Sequence, residues 1–277
     1  MHALKRTTVT VVLQAFLIAF AIITVYPLLY MFFMSLKSSS AAFASPWLPP
    51  LDPVWQNYVD AWVVGRVGRY FVNSMIVTIS SVILMTGLSV LAGYVFGRIR
   101  FRGDRLLLLA VVGSMTLPIE AILIPVFILV RGLGWTDTYF GLIIPYTGFG
   151  IALGVFIMQG FFASLPRELE DAARIDGCSE FGIFLRIMLP LAWSPVGTLI
   201  VFNFNWVWSE FLWAVTTTAK EDVKTLPLGL YSLQGRWVTE WGPLMAGLCI
   251  VLVPMLVIYF AFQRQFIAGL TAGALKG

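Results

Sequence analysis

Residues 169–194 read LEDAARIDGCSEFGIFLRIMLPLAWS, and they carry Glu170, Asp171, Arg174, Asp176, Glu180 and Arg186 between two long runs with no charge at all. That density is foreign to the rest of the chain, in which 12% of 277 residues are charged, 59% are hydrophobic and the mean hydropathy is +0.89. A soluble domain is about 25% charged, so the apolar runs are the body of the molecule. The charged segment connects them.

Counting outward from that connection gives the fold. A helix needs about 20 residues to cross the ~30 Å hydrocarbon core of a bilayer. Upstream, Thr138–Pro166, Tyr70–Gly97 and Thr7–Leu36 are free of charge; downstream, so are Ile187–Ser209 and Trp241–Gln263. Leu106–Val130 carries one carboxylate, Glu120, which a span tolerates if it faces protein or water. The reading is an all-α integral membrane protein, one transmembrane domain over 1–277 with six helices near 9–35, 71–97, 106–130, 139–162, 189–216 and 242–263. Continuous apolar runs without a period of two exclude a membrane β-barrel.

Short loops on the cytoplasmic side carry the excess of Lys and Arg. Placing the N-terminus inside assigns eleven of these residues to the cytoplasm, among them Lys5, Arg6, Arg264, Lys276 and the cluster RIRFRGDR at 98–105. Seven remain outside: Lys37, Arg66, Arg69, Arg131, Lys220, Lys224 and Arg236. Both termini and the charged 164–190 segment are therefore expected in the cytoplasm.

Several function classes fall away. Ala42-Phe43-Ala44 resembles a signal-peptidase site, but the apolar run before it is about twice the 7–15 residues of a signal h-region. The net charge of +4 sits where the positive-inside rule puts it, leaving no basic domain for nucleic acid. Cys178 and Cys249 are expected at different depths, so no disulfide is predicted. The one histidine, His2, is terminal, and no metal site, catalytic triad or P-loop is present in the sequence. The chain is not expected to be an enzyme or to hold a cofactor. If transport here uses ATP, another chain binds it.

Locally, Ser164 is placed to cap a helix with Pro166 in its first turn, and Glu168, Glu170 and Asp171 suit its positive end. Leu165, Leu169, Ala172 and Ala173 fall on one apolar face. Gly177 ends this helix, and Ser179 caps a second one with Phe181, Phe184, Leu185 and Met188 in line. From the residues alone, an amphipathic connector resting on the membrane surface fits equally.

The segment resembles the EAA loop of bacterial ABC importer permeases, a pattern of E-A-A, three residues, Gly, nine residues and I-x-L-P. Here Asp171-Ala172-Ala173 is followed after three residues by Gly177, and after nine more by Ile187-Met188-Leu189-Pro190, with Asp171 in place of the glutamate. AGYVFGRIRFRG at 92–103, IPVFILVRGLGWTDTYFGLIIP at 124–145, WSEFLW at 208–213 and QRQFIAGLTAGALKG at 263–277 are similar to the maltose-type second permease subunit of the carbohydrate-uptake branch.

That resemblance implies an inner-membrane protein of a prokaryote, forming half of a sugar pathway in a heterodimer with a related permease. It implies two ATPase subunits that bind ATP and Mg, and an extracytoplasmic solute-binding protein reached by TLPLGLYSLQG at 225–235. The coupling residues carried over are Glu170, Asp171, Ala172, Ala173, Gly177, Ile187, Leu189 and Pro190.

For the solute path, Asn203, Trp206, Glu210 and Trp213 recur at i, i+3, i+7 and i+10, a polar and aromatic stripe if the fifth span is one helix. Glu120, between Pro118 and Pro125, suits a broken helix lining a cavity or, equally, a carboxylate paired with a residue of a partner subunit. An interfacial tryptophan belt explains the stripe equally well. A permease for another solute, such as glycerol phosphate, stays open, as does an ion-coupled secondary transporter, although the latter would carry paired intramembrane charges.

Overall fold

The computed structural model describes the backbone of residues 2–234 and 241–274, with side chains for 10–231 and 241–265; Arg236 and Lys276, and the side chains of Lys5 and Arg6, lie outside the described residues. Fourteen α-helices are found among the described residues, and no strand. They are α1 His2–Ser35, α2 Ser39–Ala44, α3 Gln56–Val63, α4 Val67–Arg98, α5 Asp104–Gly113, α6 Ile119–Gly132, α7 Phe140–Ser164, α8 Glu168–Ile175, α9 Glu180–Ile183, α10 Leu189–Leu191, α11 Trp193–Ser209, α12 Leu212–Thr217, α13 Leu226–Gln234 and α14 Trp241–Ala274.

Among the described residues, four segments are single helices long and apolar enough to cross a bilayer: Thr10–Ser35, Val67–Arg98, Phe140–Ser164 and Trp241–Gln265. Two more arise only if bent pairs are joined, Asp104–Thr116 with Ile119–Gly132 at 106° and Glu180–Leu191 with Trp193–Ser209 at 73°. The first bend falls at Leu117-Pro118, where Pro118 cannot donate a helical hydrogen bond. The second follows a π-turn at Phe184–Met188 in which the Leu189 amide donates to the Phe184 carbonyl. Pro190 accounts for that turn, because its ring would clash with the Arg186 carbonyl in a regular helix.

The chain divides into two compact units, Met1–Gly68 with Gly229–Leu252 and Arg69–Leu228 with Val253–Gly277. In the first, every residue of α1 from Thr10 to Leu29 is exposed within this chain. Past its end the backbone is pinned by Asn57, whose Nδ2 donates to the Ser35 and Lys37 carbonyls at 2.8 and 2.9 Å. Lys37, one of the cations expected on the outer side, has a buried side chain. Its Nζ donates to the Ser45 carbonyl at 2.6 Å and to Pro46 at 3.3 Å, and burial lowers its pKa.

In the second unit α4 and α7 approach closely through small residues. A Cβ on Gly93 would lie 2.9 Å from the Gln159 amide nitrogen, and one on Gly97 3.0 Å from the Gln159 carbonyl oxygen. Gly154 on α7 faces Ser89, one turn before Gly93 on α4, and the Ser89 hydroxyl donates to the Ile151 carbonyl at 3.3 Å. Small faces of this kind let helices touch where lipid gives no hydrophobic drive for association. At one end of the unit, polar side chains of α4 hold the chain before α13: Asn73 Nδ2 donates to the Asp222 and Lys224 carbonyls at 2.9 Å each, and the Leu226 amide to Ser74 Oγ at 2.7 Å.

Candidate functional site

At the other end of α4 and α7 the charged segment folds as helix, turn and helix. Its start differs from the sequence expectation. Ser164 belongs to α7, donating to the Phe161 carbonyl at 2.8 Å, and Arg167 occupies the N-cap of α8 with no side-chain cap. The turn is as expected. Gly177 has φ of +79°, its amide donates to the Arg174 carbonyl at 3.0 Å and the Cys178 amide to Ala173 at 2.9 Å, the paired bonds of a Schellman ending. Ser179 then caps α9, accepting from the Gly182 amide at 3.2 Å.

α8 has two working faces. Ala173 and Glu170 point inward and are buried, Ala173 in a cluster with Tyr94, Met158, Phe162, Ile183, Phe184 and Met188. Asp171 and Ala172 point outward, with Leu169 at 38% exposed and Ile175 at 86%. The structure thus separates the two alanines that one apolar face was expected to join. The second helix is also rephased: Ile183, Phe184 and Met188 are buried, whereas Phe181 at 68% and Leu185 at 43% exposed are outside. Ile187 and Leu189 are half-buried against the cluster, and Pro190 is exposed.

Arg174 ties the two helices across the turn. Its guanidinium takes Glu180 in a fork, Nε to Oε1 at 2.7 Å and a terminal nitrogen to Oε2 at 3.1 Å, and reaches Asp171 Oδ1 at 2.9 Å. That hydrogen bond and the adjacent positive charge hold the Glu180 carboxyl below the usual glutamate range. Beneath them Arg98, the last residue of α4, is buried with Glu170. One terminal nitrogen meets Glu170 Oε2 at 2.8 Å, and the fork also donates to the carbonyls of Leu165 at 2.8 Å and Pro166 at 3.2 Å. In the sequence Arg98 read only as a topology charge. Nothing in its spacing announced Glu170 as its partner.

The residues expected along a solute path do not form one stripe. The helix ends at Ser209, because Glu210 has ψ of 133° and its carboxylate accepts the Trp213 amide at 2.8 Å and the Ala214 amide at 3.3 Å, starting α12. Glu210 Oε2 also accepts the Tyr146 hydroxyl at 2.5 Å. Trp206 meets the Tyr146 ring edge-on at 5.8 Å, Trp213 is buried with Nε1 donating to Gly141, and Asn203 is buried with Nδ2 on Thr86 Oγ1 at 3.2 Å. Glu120 is exposed in the first turn of α6, and no hydrogen bond or ion pair among the described residues joins it to the other four. A groove of about 550 Å³ between α4, α11 and α14 is lined by apolar side chains such as Phe71, Ile79, Phe204 and Val257, with Thr86 the one side-chain hydroxyl on it among the described residues. No cluster of metal-ligating residues occurs among the described residues.

Helical spans broken by proline, with a charged helix-turn-helix clamped beneath two of them, define a membrane subunit of the ABC permease class. Residues 89–271 match the family described as "Binding-protein-dependent transport system inner membrane component", and the chain belongs to that family. It is 34% identical to the probable ABC transporter permease protein YurM of Bacillus subtilis, over 98% of this chain and 89% of that protein. It is 31% identical to the arabinooligosaccharides transport system permease protein AraQ of Bacillus subtilis, over 100% and 99%. A solved bacterial ABC transporter involved in the import of the acidic polysaccharide alginate superposes with a TM-score of 0.79 at 25% identity, covering 94% of this chain and 97% of that one.

Proposed function

We propose that this chain is a permease subunit of an ATP-driven sugar or oligosaccharide importer, with both termini in the cytoplasm, six spans, and the 164–190 segment docked on an ATPase chain. The observation that carries the reading is the outward face of α8, where Asp171, Ala172 and Ile175 stand clear of the chain's own core beside a Gly177 turn. A small, partly apolar face flanked by carboxylates suits a groove on a partner protein. Asp171 supplies the polar contact, Ala172 the close approach, and Ala173 and Glu170 the seating of the helix on this chain. ATP and Mg belong to the ATPase subunits.

Sugar as solute is supported by the names of relatives such as AraQ and by the alginate importer. The apolar groove of this chain offers few groups to sugar hydroxyls, which suits a pathway completed by a second, related permease. A binding protein on the outer side supplies the solute. ATP and the loaded binding protein each shift the complex only in so far as they prefer one conformation.

The test is uptake by vesicles holding the chain with its co-expressed second permease, ATPase and binding protein. ATP-dependent uptake of a radiolabelled oligosaccharide, and none of glycerol phosphate, is the expected result. Uptake that follows an ion gradient without ATP would overturn the reading.

A further inference from the structure

We propose that Arg98 is a positioning residue that passes movement of the docked helix α8 to two membrane spans at once. This rests on the docking role proposed above.

The geometry is a three-helix knot around one guanidinium. Arg98 is the terminal residue of α4, and its side chain is 4% exposed. It ion-pairs with Glu170 of α8 at 2.8 Å, with Glu170 itself 7% exposed, and donates to the Phe162 and Leu165 carbonyls at the end of α7 at 3.3 and 2.8 Å. Tyr94, one turn earlier on α4, donates to the other Glu170 oxygen at 3.3 Å. Gly97 next to Arg98 brings the α4 backbone within reach of α7.

A buried ion pair cannot open without leaving a charge unpaired in low dielectric, and the Leu165 carbonyl at the end of α7 would lose its 2.8 Å donor with it, whereas the Phe162 carbonyl keeps the Leu165 amide at 3.2 Å. Displacing α8 alone would break the pair, so α4 and α7 move with it. The Arg174 network differs in kind. It lies in water on the docking face, links α8 only to α9, and loses little when opened. Arginine is required at 98 because its planar fork serves Glu170 and the α7 carbonyls together, whereas a lysine ammonium is a point charge.

The experiment uses the full complex with its ATPase, second permease and binding protein in proteoliposomes. ATPase co-purification, ATP hydrolysis and sugar uptake are measured for wild type, Arg98→Lys, Glu170→Gln, Tyr94→Phe and the surface control Arg105→Gln. The expected result for Arg98→Lys and Glu170→Gln is retained ATPase binding and hydrolysis, with uptake per ATP lowered at least about fivefold, the lower end of measured site-to-site couplings. Tyr94→Phe lowers it less, and Arg105→Gln, at an exposed position outside the 164–190 segment, leaves it unchanged. Wild-type uptake per ATP in Glu170→Gln would overturn the proposal, whether or not Arg98→Lys folds. Loss of ATPase binding in Glu170→Gln would overturn it too, by placing Glu170 on the docking face. A wild-type complex that fails to retain its ATPase would instead count against the docking role itself.

Discussion

Gly177 and Glu210 each fix the chain at a point where the sequence offered a different kind of clue. At Gly177 the left-handed backbone was legible from its place after an amphipathic helix, and the space around a Cβ there is open. Gly177→Ala therefore costs only the conformational penalty, about 1–2 kcal/mol, and Gly177→Asn less, because asparagine tolerates this region. Thermal unfolding of the purified protein in detergent should rank them in that order, and equal melting temperatures for Ala and wild type would remove the turn from the account. Glu210 read as a pathway residue because its role as a cap depends on a helix break that the apolar run concealed. Its carboxylate serves two backbone amides and the Tyr146 hydroxyl. Glu210→Leu should lower stability by about 1–3 kcal/mol for each donor left unmet and reduce uptake of different sugars alike. A loss that depends on the sugar would return Glu210 to the solute path. The Arg174 and Glu180 pair sets a pH window: since the folded pKa of Glu180 lies below its ordinary value near ~4.3, the link is complete above that value and is lost as pH falls through the depressed one. ATPase binding should accordingly show no step assignable to Glu180 between about pH 5.5 and 8, so Glu180→Gln should leave the pH profile in that range unchanged.

Among elements, the contact of α4 with α7 is one that glycine makes possible. Gly93→Ala would drive a methyl against Gln159 and Met158, and overpacking of this kind costs about 1–3 kcal/mol. Gly87→Ala on the same helix meets nothing within 4 Å and serves as its control. A melting temperature lowered by the first substitution and not by the second is the expected outcome; equal values would mean the helices part easily. The elements also show where sequence reading stops. Long apolar runs gave away the spans, but Phe181, Ile183, Phe184, Leu185, Ile187 and Met188 put apolar side chains all round one short helix, so hydrophobic periodicity could not phase Phe181 and Leu185 outward and Ile183 and Met188 inward. Of the eight residues of α8 only Glu170 and Ala173 are buried by this chain, and a repeating apolar face cannot tell that side from one meant for a partner. Arg98 and Glu170 are 72 positions apart in a single sequence, and no local pattern pairs them. The breaks at Pro118 and after Pro190 were visible as prolines, though only the fold shows their angles of 106° and 73°.

For the whole molecule, the topology and the docking role stand or fall by separate measurements. In a background without Cys178 and Cys249, Arg102→Cys and Lys220→Cys both present exposed thiols. Impermeant reagents should label them from opposite sides of the membrane, and labelling of both from one side would overturn the span count. The central claim is that the outward face of α8 receives the ATPase. Ala172 is the most direct probe, because it is exposed on that face and makes no part of the buried cluster. Ala172→Glu should insert and melt like wild type while the co-expressed ATPase no longer co-purifies with the membrane complex. Recovery of the ATPase with Ala172→Glu at wild-type yield would contradict the account.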